Sequence, residues 1–280
     1  MMDFIYSLMV LVHILLLVFW VGTDVGVFLA AKVSERTDLS IETRSTVLSV
    51  GMVLDRLPRS ALVLIIPSGL FLASYSGLMN IPPIIFYGIC ILAGIWLAIL
   101  WLGFMTKNST TEAKCMSINL LLNGISALLV TAAAIWMLTS GAYEVWIGLK
   151  FLCVGLIFAV GVVLDIQFRP AVVAFSEIMT KGATEDRDIN YSKAIAPVYL
   201  SVLTIYLLAI IAAGLGIATK LKAQVESLNA ASRNTSDALA LIGTIDGALE
   251  ESQEILLRMR ELAVQSASDS NTGTDRTFIQ

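Results

Sequence analysis

The sequence has little of the chemistry that most catalytic and metal sites require. Among its 280 residues are one histidine and three cysteines, and only 14% are charged. It contains no phosphate-binding glycine loop, no nucleophile–histidine–acid set and no cysteine–histidine cluster at zinc spacing. The odd number of cysteines favours core residues over a disulfide framework. We therefore expect that the protein is not an enzyme.

Basic residues are not in excess in either part of the chain. Residues 1–211 carry 12 basic and 13 acidic groups, and residues 212–280 carry 6 and 9, which gives the net charge of −4. A nucleic-acid-binding domain would present a strongly basic surface. We expect no nucleic-acid partner.

Apolar residues make up 57% of the chain, and the mean hydropathy is +0.84. A membrane helix needs roughly 20 apolar residues to cross ~30 Å of hydrocarbon. Six runs are long enough to predict membrane spans: Phe4–Ala31, Ser60–Leu78, Ile84–Met105, Met116–Ser140, Val145–Leu164 and Ile195–Ala218. The second helix is expected to begin earlier, near Thr46. The lipid bilayer is the first predicted partner.

In the connections between the predicted spans, positive charge lies on one side, although Lys220 and Lys222 follow the sixth span on the other. The turns MNIPP and GAYE contain no Lys or Arg, whereas the other three connections contain eleven: Lys32, Arg36, Arg44, Arg56, Arg59, Lys107, Lys114, Arg169, Lys181, Arg187 and Lys193. Cytoplasmic loops carry the excess of Lys and Arg. The pattern predicts that both termini lie on the extracytoplasmic side.

Ionisable residues inside spans are costly, so each is a candidate for function. Five residues of the first helix lie within about 60° of one another around the helix axis, at 100° per residue. This stripe is predicted to face the bundle interior and consists of Tyr6, Met9, His13, Trp20 and Asp24. His13 is either a packing residue or a residue that binds a ligand or handles protons. Lys150 either extends to the outer surface or reaches the level of His13 and binds an anion.

A second group of charges lies at the predicted inner ends of the spans. Its members are Asp24, Asp55, Arg56, Arg59, Asp165 and Arg169. They form either a network of ion pairs that holds the helices in register or a binding pocket.

Three short motifs in the first part of the chain resemble motifs of a known group of membrane proteins. They are VHILLLVFWVG, DRLPRSALVLIIPSGLFLA and WIGLKFLCVG. Across about 165 residues the chain is similar to small bacterial membrane proteins of the copper-resistance-D and protoporphyrinogen-oxidase type. The resemblance implies that His13 and Lys150 are the counterparts of functional residues, with haem or copper as the cofactor. The second metal ligand would come from a methionine, Met9 or Met52, or from a partner chain.

The last quarter of the chain has a different pattern. From Ala238 its apolar residues follow a heptad, interrupted by Ser252: Ala238, Leu241, Ile245, Ala248, Ile255, Met259 and Leu262. A period of 3.5 residues predicts pairing with other helices in a coiled coil. On the outer face, Glu254 and Arg258 are expected to form an ion pair four residues apart. The polar stretch SASDSNTGTDR is expected to be a loop.

From Ala212 onward, and above all in GTIDGALEES and ILLRMRELAVQSA, the chain resembles the amino-terminal helical region of bacterial flagellins. The resemblance implies long filament helices that pack on flagellin-like helices of other chains. It also implies that the segment Arg258–Leu262 corresponds to one that contacts an innate immune receptor in several flagellins. Where that family has an asparagine-rich start, this chain has TIYLLAII. These 280 residues do not include the family's carboxy-terminal helix.

Together these patterns predict an all-α protein: a six-helix transmembrane bundle (1–211) followed by a flagellin-like, coiled-coil-type extended helical segment (212–280). The expected function is that of a bacterial inner-membrane protein whose two functionally separate parts are joined near Ala212. The joint could be natural, engineered or introduced in sequence assembly. The alternative is a membrane protein or transporter that handles haem, a metal or a small molecule at His13. Either arrangement is compatible with a homo-oligomer.

Overall fold

The computed structural model describes residues 2–267 and 272–279, and every regular element in those two ranges is a helix. The all-α prediction is therefore confirmed. The helices are α1 (Met2–Ser34), α2 (Ile41–Leu54), α3 (Arg56–Tyr75), α4 (Pro83–Met105), α5 (Ser109–Ser140), α6 (Val145–Lys181), α7 (Glu185–Ser266) and α8 (Gly273–Ile279). The chain divides into two compact units, Met1–Ile217 and Ala218–Gln280, which we call the helical bundle and the tail segment.

Six helical stretches are long and apolar enough to cross a bilayer, judged by length and composition. They are Phe4–Ser34, Ile41–Tyr75, Pro83–Met105, Ser109–Ser140, Val145–Lys181 and Glu185–Ser266. They agree in number and order with the six predicted runs. Most are longer than the apolar run inside them, because the helices continue into polar sequence at one end.

The second stretch begins before its apolar run, at Ile41 rather than at Thr46. The hydroxyl of Ser40 accepts a hydrogen bond from the Thr43 backbone N–H at 3.2 Å, which caps the start of α2. The stretch is interrupted at Asp55, between α2 and α3. Pro58 explains this break, because its ring removes the N–H that would bond to the Leu54 carbonyl and crowds that carbonyl.

Local signals also fix the limits of α5. The side chain of Asn108 accepts hydrogen bonds from the Thr110 and Thr111 backbone N–H groups at 2.9 and 3.3 Å. At the other end Gly141 takes a left-handed conformation, with φ of 65°. Glycine adopts this conformation at low cost, so the chain can turn sharply toward α6.

The first half of α7 belongs to the core of the helical bundle. Ile195 of α7 and Ile178 of α6 are both fully buried, in a cluster that also contains Ala31 of α1. Farther along α7, Ala209 packs in a cluster with Ala61 and Ile157. The core therefore joins α1, α3, α6 and α7 through small and branched side chains.

Glycine allows α5 and α6 to approach closely near Thr131. A Cβ atom on Gly155 would lie 2.3 Å from Thr131 Oγ1 and 2.9 Å from the Thr131 backbone nitrogen. By contrast, a Cβ on Gly88, Gly94 or Gly161 would meet no atom within 4 Å. Of these four glycines, Gly155 is the one that permits close helix packing.

In the tail segment, α7 continues without a break past Lys222 to Ser266, as the run of good helix formers predicts. None of the residues from 221 to 267 is buried. The predicted polar loop at 266–276 begins correctly, since α7 ends at Ser266. It is wrong from Gly273 onward, where α8 forms. Residues 268–271 lie outside the described residues.

Candidate functional site

One cavity inside the helical bundle brings together several of the predicted candidates. It has a volume of about 290 Å³, and its lining includes Tyr6, His13 and Trp20 of α1 and Lys150 of α6. The three α1 residues follow one another at intervals of seven, so they cover about 20 Å along the helix at 1.5 Å per residue. The predicted interior stripe is thus a cavity wall at these three positions.

The two remaining members of that stripe lie elsewhere. Met9 is half-buried and is not in the cavity lining. Asp24 is half-buried near the Tyr206 hydroxyl of α7, within electrostatic range of Asp55 and Arg59. Asp24 therefore belongs with the charges at the opposite end of the bundle.

His13 is held in place by a short chain of hydrogen bonds. Its Nδ1 atom lies 2.8 Å from Ser68 Oγ, and that hydroxyl donates to the Ile65 carbonyl at 3.0 Å. The hydroxyl has one proton, which serves either the Ile65 carbonyl or His13 Nδ1, so Ser68 engages Nδ1 in either tautomer of the imidazole. Nε2 is the ring nitrogen that Ser68 does not use. The ring lies against Gly69, where a Cβ would sit 3.1 Å from Cε1.

Lys150 reaches the same cavity, as the second of its two sequence interpretations requires. Its Nζ lies next to Gly216 of α7, 3.6 Å from where a Cβ would be. Among the described residues no carboxylate lies in the cavity lining, and no ion pair involves Lys150. The cavity therefore combines an apolar wall with one uncompensated cation.

The residues around His13 do not complete a set of metal ligands. Hydrogen bonding of Nδ1 to Ser68 would leave Nε2 free to bind a metal. However, the described lining contains no methionine, cysteine or carboxylate, and Met52 lies on α2 with 51% of its surface exposed. Within residues 2–267 and 272–279, no group of three His, Cys, Asp or Glu side chains could hold a metal ion. A haem or copper ion would thus have only His13 from the predicted set.

At the opposite end of the bundle, the predicted inner charge cluster is partly assembled. Arg59 lies between two carboxylates, with Nε 2.6 Å from Asp55 Oδ2 and Nη1 2.9 Å from Asp165 Oδ1. This arrangement joins α3 to α6 and agrees with the ion-pair interpretation. Arg56 instead lies over the Phe104 ring, 5.5 Å from its centroid. Arg169 is exposed, and no ion pair joins it to the cluster among the described residues.

A buried polar network, which the sequence did not reveal, joins α1, α2 and α7. Arg44 is 1% exposed; its Nη2 lies 2.9 Å from Asp188 Oδ1, and its Nε donates to the Ser34 carbonyl at 2.7 Å. The Ser34 hydroxyl also lies 2.6 Å from the Tyr191 hydroxyl. These partners are 10 to 157 residues apart, so no local pattern marks them.

Glu35 forms a neighbouring part of this network at the end of α1. Its carboxylate accepts hydrogen bonds from the Tyr199 hydroxyl and from Ser192 Oγ, the latter at 2.8 Å. Lys32 contributes a third contact to Glu35 at 3.2 Å, and its ammonium lies 3.6 Å from the centroid of the Tyr199 ring. These contacts fix the amino-terminal part of α7 against α1.

In the tail segment the heptad residues are exposed, as expected for a single chain. The exposed fractions are 63% for Leu241, 51% for Ile245, 56% for Ile255 and 60% for Met259, and Leu262 is half-exposed. The predicted pairing of Arg258 with Glu254 is wrong, because Arg258 Nη1 pairs with Glu261 Oε2. Both residues are exposed, so this contact contributes little to stability.

Comparison with known proteins accounts for the tail segment. Residues 210–280 match the family described as the bacterial flagellin N-terminal helical region. Over 69 residues, a quarter of this chain, the segment is 55% identical to a flagellin of Clostridium tyrobutyricum. Over stretches of the same length it is 48% identical to a B-type flagellin of Pseudomonas aeruginosa and to the flagellar filament 41 kDa core protein of Borreliella burgdorferi.

These relatives are matched only in part. The chain covers 18%, 14% and 20% of the length of the three relatives, respectively. No solved structure matches the chain. The similarity begins at residue 210, so its first residues include Ala212, which is 8% exposed within the helical bundle.

Proposed function

We propose that the protein is a bacterial inner-membrane protein with a structural role. In this proposal the helical bundle is a six-span anchor, and the tail segment pairs with the same segment of other copies through its heptad residues. The observation that carries the proposal is the exposed apolar heptad within a segment similar to flagellins. No catalytic step is part of it.

The heptad residues supply the driving force for pairing. Leu241, Ile245 and Met259 each expose more than half of their surface. Burial of apolar surface contributes roughly 25 cal/mol per Å², so pairing along several heptads would stabilise an association substantially. Most of the stability of helices in proteins comes from packing of an apolar face rather than from helix propensity. Both effects favour association through this face.

The relatives support helix pairing rather than any wider activity. One is named a flagellar filament core protein, and filament formation requires that copies of one chain associate. Because this chain covers a fifth or less of the three relatives described above, we extend only the helix pairing to it.

The membrane assignment rests on the outer surface of the bundle. Large apolar side chains face outward on several helices, among them Leu92 of α4 at 66%, Leu128 of α5 at 74% and Leu200 of α7 at 70%. Monomeric soluble proteins rarely expose apolar patches of such extent. Lipid would cover them, with the eleven Lys and Arg residues of the three longer connections on the cytoplasmic side.

The pairing is tested by measuring the mass of the full chain in detergent by light scattering over a range of protein concentrations. Wild-type protein should form dimers or larger assemblies as the concentration rises. Replacing Leu241 and Ile245 together with Glu places charges at the heptad positions and should shift the association at least tenfold toward monomer.

A matched control adds the same two charges outside the heptad, as Ser236→Glu with Gln253→Glu. This control should associate like the wild type. The pairing proposal fails if the wild type stays monomeric at the highest concentration, or if both double variants behave alike.

The membrane orientation needs a separate test. A reporter that fluoresces only in the cytoplasm, fused after Gln280, should stay dark because both termini are assigned to the extracytoplasmic side. The same reporter inserted between Lys107 and Asn108, in the connection before α5, should fluoresce. A bright carboxy-terminal fusion would reverse the orientation, and a soluble, unanchored product would remove the membrane assignment.

We further propose that the two parts act separately and are joined near Ala212. The support is the change of pattern there, from apolar runs to a flagellin-like heptad. Sequencing the source DNA across codons 195–230 should show one uninterrupted reading frame. An interrupted frame would show that the joint is not natural.

A further inference from the structure

The cavity that contains His13 and Lys150 has features that the proposed structural role does not use. It lies within the helical bundle and is lined by side chains of α1, α3 and α6 and by the small residues Ala212 and Gly216 of α7. Its volume of about 290 Å³ is near the lower end for small-molecule sites, which run from about 300 to 1,000 Å³. An anchor needs no internal cavity of this kind.

The cavity is amphipathic. Apolar side chains form most of its wall, including Leu62, Ile66 and Val154. Lys150 places a positive charge in it, and the described lining contains no acidic side chain to pair with that charge. An ammonium with no counter-ion in an apolar setting is costly, so an anionic group beside it would be stabilising.

Shape and size limit the ligand further. Tyr6 and Trp20 both line the cavity and lie about 20 Å apart along α1, so its lining extends along about four turns of that helix. This form suits a single unbranched chain of about eight carbons, whereas the two acyl chains of a phospholipid exceed the volume. The single cation of the described lining, Lys150, matches a ligand with one negative charge.

We infer that this cavity binds an amphiphilic monoanion, a medium-chain carboxylate whose anionic end pairs with Lys150 and whose apolar chain extends toward Trp20. In this arrangement His13, fixed by Ser68, lies along the wall and offers a hydrogen-bonding nitrogen. The inference is independent of the tail segment and of its pairing.

Two tryptophans in the lining, Trp20 and Trp146, provide the readout. The full chain in phosphatidylcholine nanodiscs is titrated with 8-bromooctanoate, whose bromine quenches nearby indole fluorescence. Binding in the cavity should give a saturable component, above the linear quenching caused by partition into lipid. The neutral analogue 8-bromo-1-octanol should give only the linear component.

Variants then identify the contact. Lys150→Met keeps the side-chain length and removes the charge, and it should weaken the saturable component at least tenfold. Lys150→Arg should retain it, which shows that the site still folds when position 150 is changed. Lys107→Met removes an exposed lysine outside the cavity and should match the wild type.

The inference is overturned by any of three results. The first is that the wild type shows only linear quenching. The second is that the bromo-alcohol saturates with the same affinity as the carboxylate. The third is that Lys150→Met binds as tightly as Lys107→Met. None of these results would affect the test of helix pairing, which measures mass rather than ligand binding.

Discussion

The helical bundle and the tail segment both expose large apolar side chains, but for different reasons. In the bundle the exposed leucines surround a core of fully buried residues such as Phe158 and Ile195. In the tail segment no residue from 221 to 267 is buried. Its exposed apolar residues include a set at heptad spacing, and Glu and Arg lie on other faces of the same helix. A continuous apolar surface fits lipid, whereas a periodic one fits another helix.

The two regions also differ in how they use charge. In the bundle, Arg44 is buried and paired with Asp188, and Arg59 lies between two carboxylates. In the tail segment the members of the pair Arg258–Glu261 are each 66% exposed. Removing one member of a buried ion pair is strongly destabilising, because the other member is left as an uncompensated buried charge. Stability of the bundle should therefore be far more sensitive to loss of a charge.

The largest effect that we expect comes from Arg44→Ala. It leaves the Asp188 carboxylate and the Ser34 carbonyl without their partner, so the free energy of unfolding of the bundle should fall by about 3–5 kcal/mol. Association through the tail segment should not change. Denaturant-induced unfolding in detergent, followed by tryptophan fluorescence, measures the first quantity, and light scattering the second.

Arg36→Ala is the matched control for Arg44→Ala. Arg36 pairs with Asp38 in the exposed connection between α1 and α2, and its loss should leave the free energy of unfolding close to that of the wild type. Equal losses for the two variants would show that burial of the Arg44 network does not make the bundle more sensitive to loss of a charge.

A smaller effect is expected from Gly155→Ala. The added Cβ would lie 2.3 Å from Thr131 Oγ1, so α5 and α6 must separate, at a cost of about 1–3 kcal/mol. Gly161→Ala, on the same helix, meets nothing within 4 Å and should be neutral or stabilising by up to about 1 kcal/mol. Denaturant-induced unfolding in detergent, followed by tryptophan fluorescence, measures both changes in the free energy of unfolding. Destabilisation by Gly161→Ala as large as that by Gly155→Ala would contradict the packing account.

Sequence periodicity predicted the features that a single helix determines. Tyr6, His13 and Trp20 share one face because their spacing of seven nearly matches two turns. Asp24 lies near Asp55 and Arg59, where the predicted inner charge cluster put it, but its proximity to Tyr206 of α7 could not be predicted from α1 alone. The Arg44 network and the close contact at Gly155 could not be predicted from the sequence either, because each depends on residues of other helices. Gly155 and Gly161 look alike in sequence, and only the position of α5 separates their roles.

The tail segment was more accessible to sequence reasoning because its interactions are local or implied by the resemblance. The heptad, the unbroken helix past Lys222 and the flagellin similarity follow from the residues alone. The partner of Arg258 in its ion pair did not follow from the sequence, because two acidic residues, Glu254 and Glu261, lie within reach on the same helix. Small differences in side-chain geometry choose between such partners.

Hydrogen exchange of the full chain in nanodiscs, measured at two protein concentrations, tests most directly whether the two regions differ as proposed. Backbone amides of the helices within residues 4–217 should stay protected for hours at both concentrations, because lipid and a packed core shield them. Amides of residues 225–265 should exchange within minutes in dilute protein and become protected when concentration drives helix pairing. Equal protection of both regions in dilute protein, or a tail segment whose exchange ignores concentration, would contradict the account.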